Sequence, residues 1–162
     1  MNTYEETEAL LTDTETDMEG KYLTFHTDQQ LFGIPISKVV EIISMLEITP
    51  VPEYPSHIKG IINLRGRIIS VIDMRIRLNK DQGIYNERTC IVVIDISGRH
   101  VGFIVDEVKE VLDVAYSDIS ERSQLTYTSD NDYLTGFAKI NDEVILLLDM
   151  DKILYESDIA YL

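Results

Sequence analysis

The sequence contains few of the features on which enzymes and metalloproteins depend, and cysteine is the clearest case. Cys90 is the one cysteine in 162 residues. An internal disulfide and a cysteine-based zinc site are therefore excluded, and the composition suits a reducing cytoplasm. Cys90 lies in the apolar stretch TCIVVID, which predicts a small core residue in a buried strand and not a nucleophile.

Basic residues are also scarce. The chain has 14 Lys and Arg against 29 Asp and Glu, giving a formal net charge of -15. Nucleic-acid binding requires Lys and Arg to neutralise phosphates, so this balance argues against it, and an anionic membrane surface would repel the chain. Seven of the acids fall in residues 1–20, which hold no Lys or Arg. This stretch predicts an acidic, flexible, solvated tail.

Long apolar runs and common catalytic motifs are missing. No run approaches the ~18 apolar residues of a membrane span, and no basic stretch is followed by an apolar one as in a signal peptide, so a cytoplasmic protein without membrane insertion is expected. Gly-rich phosphate loops, Gly-x-Ser-x-Gly and His-Glu-x-x-His do not occur. The histidines His26, His57 and His100 are scattered, which predicts surface positions. We expect no catalytic residue, no metal and no cofactor, although counting acids leaves a glycosidase-like carboxylate pair open.

The chain does contain many short alternating segments. With 44% apolar residues it can bury a core, and the pattern from residue 21 predicts eight to ten short strands and two or three short helices. This favours a mostly β fold of small barrels or a sandwich. Hairpin turns are expected at Asp28-Gln29-Gln30, Arg65-Gly66, Ser97-Gly98-Arg99 and Asn141-Asp142. Short helices are expected over residues 37–45, with Ser37 as N-cap, and over 150–155, and a loop over residues 118–132.

An internal repeat is the most informative feature. Residues 60–74 align without a gap on residues 136–150, from a shared glycine to a shared Asp-Met. Upstream, residues 32–42 align on residues 101–111. The two matches occur in the same order and predict two similar β units that pack on each other, with a groove between them. Asp73 and Asp149 end matching strands, which predicts that each caps the segment after it.

Basic side chains are concentrated in the first copy of the repeated hairpin. Six of the fourteen lie in residues 59–80. Exposed turn and edge positions are expected for Arg67, Arg75, Arg77 and Lys80. Arg65 precedes the turn glycine, and we predict a bidentate ion pair with Glu41 that would form one wall of the groove.

The apolar segment before Glu41 is the other expected part of that wall. Residues 36, 39, 40, 42 and 43 are apolar, which is too many for one face of a short helix. Some of them, among Ile36, Val39 and Val40, are therefore expected to stay partly exposed beside the charged pair, as in a surface that binds a partner.

These motifs together resemble one protein family. The order GIPISKVVEI, HIKGIINLRGRIISVIDMR, HVGFIVDEVKEVLDV and YLTGFAKINDEVILLLDMDKIL is similar to that of the CheW family of chemotaxis coupling proteins, over residues 21–156. The resemblance implies two interleaved SH3-like five-stranded β-barrel subdomains around a shared core, with residues 157–162 as a C-terminal end. It also implies a non-enzymatic adaptor that joins chemoreceptor tips to the regulatory domain of the histidine kinase CheA at membrane-anchored arrays.

Residue roles are implied by the same resemblance. The positions that match the receptor-binding groove are Ile36, Val39, Glu41, Arg65, Cys90, Val105 and Val108. Those in the motif hairpin, with no partner assigned, are Gly60, Asn63 and Leu64. Two alternatives stay open: a CheV-type adaptor without its receiver domain, and a β-barrel that binds a small ligand in the groove.

Overall fold

The computed structural model describes residues 19–121 and 131–162, and strands dominate it. The acidic tail predicted for residues 1–20, apart from its last two residues, lies outside this range. The strands are β1 (Lys21–Thr27), β2 (Gln30–Pro35), β3 (Val39–Ser44), β4 (Ile58–Leu64), β5 (Arg67–Asp73), β6 (Cys90–Ile96), β7 (Arg99–Val105), β8 (Glu107–Asp113), β9 (Ile119–Glu121), β10 (Leu134–Ile140) and β11 (Glu143–Leu148). The helices are α1 (Met74–Arg77) and the 3-10 segments Ile36–Lys38, Tyr116–Asp118 and Glu156–Tyr161.

The strands form two sheets. One sheet has the order β8-β1-β2-β11-β10-β9, and we call its part of the molecule the six-stranded lobe. The other has the order β3-β6-β7-β5-β4 and defines the five-stranded lobe. Neighbours are antiparallel except β2 with β11 and β5 with β7. The predicted class is confirmed: mostly β, two SH3-like subdomains, few short helices. β9 adds a strand where residues 118–132 were expected to form a loop.

The repeat is visible in both lobes, but the halves of the sequence do not fold separately. The five-stranded lobe is one continuous stretch, residues 39–105, whereas the six-stranded lobe takes β1 and β2 from before it and β8 to β11 from after it. Strands β3, β4, β5, β6 and β7 correspond in sheet position to β8, β10, β11, β1 and β2. Each lobe therefore contains strands from both copies of the repeat: β6 and β7 complete the five-stranded lobe, and β1 and β2 complete the six-stranded lobe.

Each hairpin turns through two residues with positive φ. The φ values are 50° and 65° at Asp28-Gln29, 52° and 88° at Arg65-Gly66, 53° and 82° at Ser97-Gly98, and 51° and 66° at Asn141-Asp142. Positive φ at both central positions is the property of type I′ turns, whose twist matches that of the adjoining strands. The predicted turns are confirmed at Asp28-Gln29, Arg65-Gly66, Ser97-Gly98 and Asn141-Asp142.

The repeated glycines mark where each sheet is closed by a returning segment. Thr49, in the chain after β3, exchanges two backbone hydrogen bonds with Ile61 on β4, at 2.9 and 3.0 Å. A Cβ on Gly60 would lie 2.1 Å from the Thr49 carbonyl oxygen. In the other lobe, a Cβ on Gly136 would lie 2.4 Å from the carbonyl oxygen of Ser120 on β9. Only glycine leaves room for these backbones, which explains why it begins both copies.

The buried side chains form three clusters. The largest draws on both sheets and is the shared core between the lobes; it includes Leu23 and Phe25 from β1 and Val92 and Ile94 from β6. A second cluster lies inside the five-stranded lobe and a third inside the six-stranded lobe. Burial of both faces of most strands follows from this arrangement, and it accounts for the long apolar runs of β6 and β11.

Two helix predictions are wrong. Residues 37–45 were expected as a helix capped by Ser37, but a single 3-10 turn is followed by β3, and Ser37 makes no cap. The β-branched run Val39, Val40, Ile42 and Ile43 fits a pleated strand better than a helix. Residues 150–155 form turns, and the helical segment comes later, at Glu156–Tyr161. The carbonyl of Ile153 accepts from the Arg77 side chain and not from a continuing helix.

Among the described residues, no helix has the length and apolar character needed to cross a membrane.

Candidate partner-binding groove

The apolar residues predicted to line the groove are inside the molecule. Ile36, Val39, Cys90, Val105 and Val108 are all buried and belong to the shared core. The expectation that some residues among Ile36, Val39 and Val40 stay partly exposed therefore fails for Ile36 and Val39 and holds for Val40. The count of apolar positions assumed a helix, which buries one face, whereas β3 is a strand whose two faces enter two different clusters. Val40 alone in this group is half-buried.

These buried residues are related by the repeat. In the ungapped alignment Ile36 matches Val105, and Val39 matches Val108. The chain crosses between the sheets at both places, from β2 to β3 and from β7 to β8. The four side chains therefore occupy equivalent positions where the two lobes meet. These four buried side chains fix the distance between the two lobes by packing in the shared core.

Cys90 completes one end of this set. It lies opposite Ser44 on β3 and Val105 on β7. Burial raises the pKa of its thiol to about 12, with a smaller opposing effect from a hydrogen bond to the Val108 backbone and a further increase from the charge of Glu107. A thiol that stays protonated at neutral pH is not a nucleophile, so Cys90 acts as a small core side chain.

The predicted pair between Arg65 and Glu41 is present. Nη2 of Arg65 contacts Oε1 of Glu41, and the structure shows this single contact instead of the expected bidentate pair. The Arg65 side chain is 69% exposed and that of Glu41 is 18% exposed. β3 and β4 are the two edges of the five-stranded sheet, so the pair links the β4–β5 turn to the opposite edge. It forms a charged rim across the opening of this lobe.

The motif hairpin is shaped by the other three predicted residues. The Oδ1 atom of Asn63 accepts a hydrogen bond from the Gly66 backbone at 2.8 Å, which stabilises the turn. Leu64 is buried in the cluster of the five-stranded lobe. Gly60 allows the close approach of Thr49. Each therefore has a structural role in holding Arg65 where it meets Glu41.

The six-stranded lobe has a corresponding ion pair of opposite polarity. Lys109 on β8 contacts Glu143 on β11, again between the strand that begins the unit and its hairpin. This hydrogen bond lowers the pKa of the Glu143 carboxyl. In one lobe the hairpin supplies the cation, and in the other it supplies the anion. The two rims therefore present different charge patterns to a partner.

The prediction of exposed basic residues is correct for Arg67 but wrong for Arg77. Arg67 is exposed and contacts His100 at 2.6 Å. Arg75 and Lys80 are half-buried, and Arg75 binds Asp106 with Nε and Nη2, at 2.9 and 2.6 Å. This pair fastens the five-stranded lobe to the β7–β8 crossover. Arg77 is 2% exposed and lies between aromatic rings.

The predicted caps are present at both ends of the repeat. The Asp73 carboxylate accepts from the backbone of Arg75 and Ile76 at the start of α1, and from the Tyr85 hydroxyl at 2.6 Å. Asp149 accepts from the Asp151 backbone at 3.0 Å.

One buried polar pair was not predicted. Nε2 of His57 lies 2.8 Å from Oδ1 of Asp158, and the two side chains are 12% and 1% exposed. His57 was expected at the surface. The pair fastens the C-terminal 3-10 segment to the five-stranded lobe, and Ser70 adds a hydrogen bond to the Tyr161 carbonyl at 3.1 Å. His57 and Asp158 are 101 residues apart, and no local pattern relates them.

Groups of three or more His, Cys, Asp or Glu that could hold a metal ion do not occur within residues 19–121 and 131–162.

Comparison with known proteins identifies the family. Residues 21–158 match the family model described as the CheW-like domain. The chain belongs to the CheW family. The chemotaxis protein CheW of Thermotoga maritima is 34% identical over 143 residues, which cover 85% of this chain and 89% of that protein. The CheW protein of Klebsiella aerogenes is 32% identical over 140 residues, covering 86% and 84%.

A solved structure of a CheW protein agrees with the fold. The scaffolding protein TtCheW of Thermoanaerobacter tengcongensis has a TM-score of 0.76 and 32% identity, covering 83% of this chain and 91% of that one. The CheV3 protein of Helicobacter pylori is 30% identical over 128 residues, 41% of its length. Membership of the CheW family supports a chemotaxis adaptor that is a scaffold and not an enzyme.

Proposed function

We propose that this protein couples the cytoplasmic tips of chemoreceptors to the regulatory domain of the histidine kinase CheA. The observation that supports this best is the Arg65–Glu41 pair, which lies at the end of the motif hairpin and links it to β3. Relatives that match most of the chain carry the name chemotaxis protein CheW. In such an array the protein would lie in the cytoplasm and be recruited to membrane-anchored receptors.

The proposed receptor surface has a polar rim and an apolar support. Glu41 and Arg65 supply the accessible part, and the buried residues of the groove set hold β3 and β8 in the shared core. A receptor tip, the helical hairpin of a coiled coil, would lie along this rim. Buried positions of the proposed groove would affect binding through packing, and rim positions would affect it through contact. The buried group is Ile36, Val39, Cys90, Val105 and Val108.

The proposed mechanism is bridging without chemistry. One surface would hold the kinase and another the receptor, so a conformational bias in the receptor would reach the kinase through a stiff connection. Coupling of this kind requires contacts that differ between the kinase-on and kinase-off states. The Arg75–Asp106 contact between the lobes, and the shared core, provide the stiffness.

Binding measurements test this proposal. The purified full chain would be titrated with a receptor tip fragment and with the CheA regulatory domain, each alone and then together. Binding to each partner, and a ternary complex when both are present, is expected. Lys109→Ala, which breaks the corresponding pair of the other lobe, serves as a matched control for Arg65→Ala. An absence of binding to both partners would contradict the proposal.

A further inference from the structure

Arg77 is a buried cation with no carboxylate partner among residues 19–121 and 131–162. It ends α1 and is 2% exposed. Its Nε donates to the Ile153 carbonyl, and its Nη1 donates to the Tyr155 hydroxyl at 3.1 Å. Both acceptors are neutral. Among the described residues, no Asp or Glu oxygen lies within 4.0 Å of an Arg77 nitrogen, the limit for an ion pair. Arg65, Arg75 and Arg88 each form an ion pair with a carboxylate.

Two tyrosines partly compensate for the missing counter-charge. The Arg77 guanidinium carbon lies 3.9 Å from the centroid of the Tyr155 ring and 5.0 Å from that of Tyr133. Cation–π contacts of this kind contribute about 0.5–2 kcal/mol each. Removing a charge from water costs several kcal/mol, so neutral acceptors and rings leave the guanidinium under-compensated. An anion beside it would therefore be strongly favoured.

The Arg77 side chain faces a cavity that can hold such an anion. The cavity has a volume of about 500 Å³, and its polar lining includes Arg77, Asn79, Lys152 and Tyr155. Among the described residues, Nε and Nη1 of Arg77 have acceptors and Nη2 has none, which leaves Nη2 as the donor for a bound anion.

The rest of the lining limits what enters. Asp132 and Glu156 also line the cavity, and both are exposed. The cationic guanidinium is thus at the buried end, while the carboxylates lie at the solvent side. An extended polyanion would be repelled at the mouth, whereas a small molecule with one anionic group and hydrogen-bond donors elsewhere would fit both ends. A volume of this size is typical of small-molecule sites.

We propose that this cavity binds a small organic anion, with a carboxylate or phosphate group on Arg77 and Lys152. The site joins α1 of the five-stranded lobe to residues 152–156, which follow β11 of the six-stranded lobe. Binding would therefore hold the C-terminal segment against α1 and stiffen the connection between the lobes. This inference does not depend on which proteins the adaptor joins.

Titration with simple anions tests the site. Lactate, which has one carboxylate and one hydroxyl donor, and inorganic phosphate would be added to the full chain as carboxylate and phosphate probes, with sodium chloride at matched ionic strength as the reference. We expect a saturable shift of the Arg77 Nε–Hε NMR signal. We also expect the melting temperature to rise by about 3–6 °C at tenfold excess over Kd. The stronger probe identifies the class of anionic group.

Variants separate this site from general charge screening. Lys152→Gln, at an exposed position, should weaken probe binding severalfold without affecting the fold. Arg77→Lys should weaken it further, because an ammonium replaces the planar donor set. Arg88→Gln, which changes an exposed arginine elsewhere, should leave binding unchanged. If Arg77→Lys does not fold, the NMR signal and Lys152→Gln decide the matter. The proposal would be overturned if the probes shifted the Arg77 NMR signal and the melting temperature no more than sodium chloride does. It would also be overturned if these shifts were equal in Lys152→Gln and the parent chain.

Discussion

Arg65 in the β4–β5 turn contacts Glu41 on β3, and the contact joins the two edges of one sheet. The link closes the side of the five-stranded lobe that Thr49 and Ile61 close at the backbone level. In the six-stranded lobe, Lys109 and Glu143 form the corresponding link with the charges exchanged. The two lobes therefore share a backbone plan and differ in the charge of their rims.

Breaking the first link should change binding more than stability. Because the Arg65 side chain is 69% exposed, Arg65→Ala and Glu41→Ala should each lower the free energy of unfolding by no more than about 1 kcal/mol. Each should weaken receptor-tip binding by about tenfold, or about 1.4 kcal/mol. Calorimetric titration and urea unfolding measure the two effects, with Lys109→Ala as control. Equal loss of folding in both variants would refute a role in binding.

Asp73 should contribute more to the free energy of unfolding than Asp149, its counterpart in the repeat. Asp73 is buried and accepts three hydrogen bonds, so Asp73→Ala should cost about 2–3 kcal/mol of unfolding free energy. Asp149 is half-buried and caps only a turn, and Asp149→Ala should cost about 0.5–1 kcal/mol. Chemical denaturation of the two variants measures the difference. Similar losses would show that the Tyr85 hydrogen bond contributes little.

The repeated glycines should not tolerate a side chain. Gly60→Ala would place a Cβ 2.1 Å from the Thr49 oxygen at a φ of +144°, and we expect a loss of about 2–4 kcal/mol. Gly136→Ala should behave similarly because of Ser120. Gly98, at φ +82° with nothing within 4 Å of the new Cβ, is the matched control and should lose about 1 kcal/mol. Thermal unfolding ranks the three, and a Gly60→Ala loss as small as that of Gly98→Ala would contradict the model of sheet closure.

Stability should fall at alkaline pH because Cys90, Tyr85 and Tyr133 hold their protons more tightly in the folded state. The pKa of the Cys90 thiol is raised from 9.0 to about 12, and burial together with Asp73 raises that of the Tyr85 hydroxyl. The folded state then binds protons that the unfolded state releases. The free energy of unfolding is therefore unaffected below pH 9 and falls between about pH 9 and 12, with Cys90 contributing on the order of 1 kcal/mol by pH 10.

Unfolding in urea at pH 7.5 and pH 10 checks this dependence. Cys90→Ala should retain only the smaller decrease that comes from Tyr85 and Tyr133. A thiol reagent gives a second measurement, because the native thiol should react far more slowly than the urea-unfolded one at pH 8. Rapid native labelling, with no effect of Cys90→Ala on the pH profile, would show that the thiol is accessible and its pKa unshifted.

Some of the site could be predicted because its signals are local or repeated. The turn dipeptides, the Asp-Met ends and the Arg65–Glu41 pair all followed from residue type and from comparing the two copies. The buried positions of Ile36 and Val39 did not follow, because they depend on β3 lying between two clusters. Arg77 was expected at the surface for a similar reason. Its partners Ile153 and Tyr155 are 76 and 78 residues away.

By itself the sequence determined most of the strands, their turns, the repeat and the family, because alternation, turn dipeptides and matched spacing are properties of short segments. Only the tertiary structure decided which strands share a sheet, and hence that β1 and β2 complete the unit begun by β8. It also decided which charges are buried, such as Arg77, and which lie on a rim, such as Arg65. These outcomes depend on contacts between segments far apart in the chain, where burial and charge pairing are set by packing and not by local pattern.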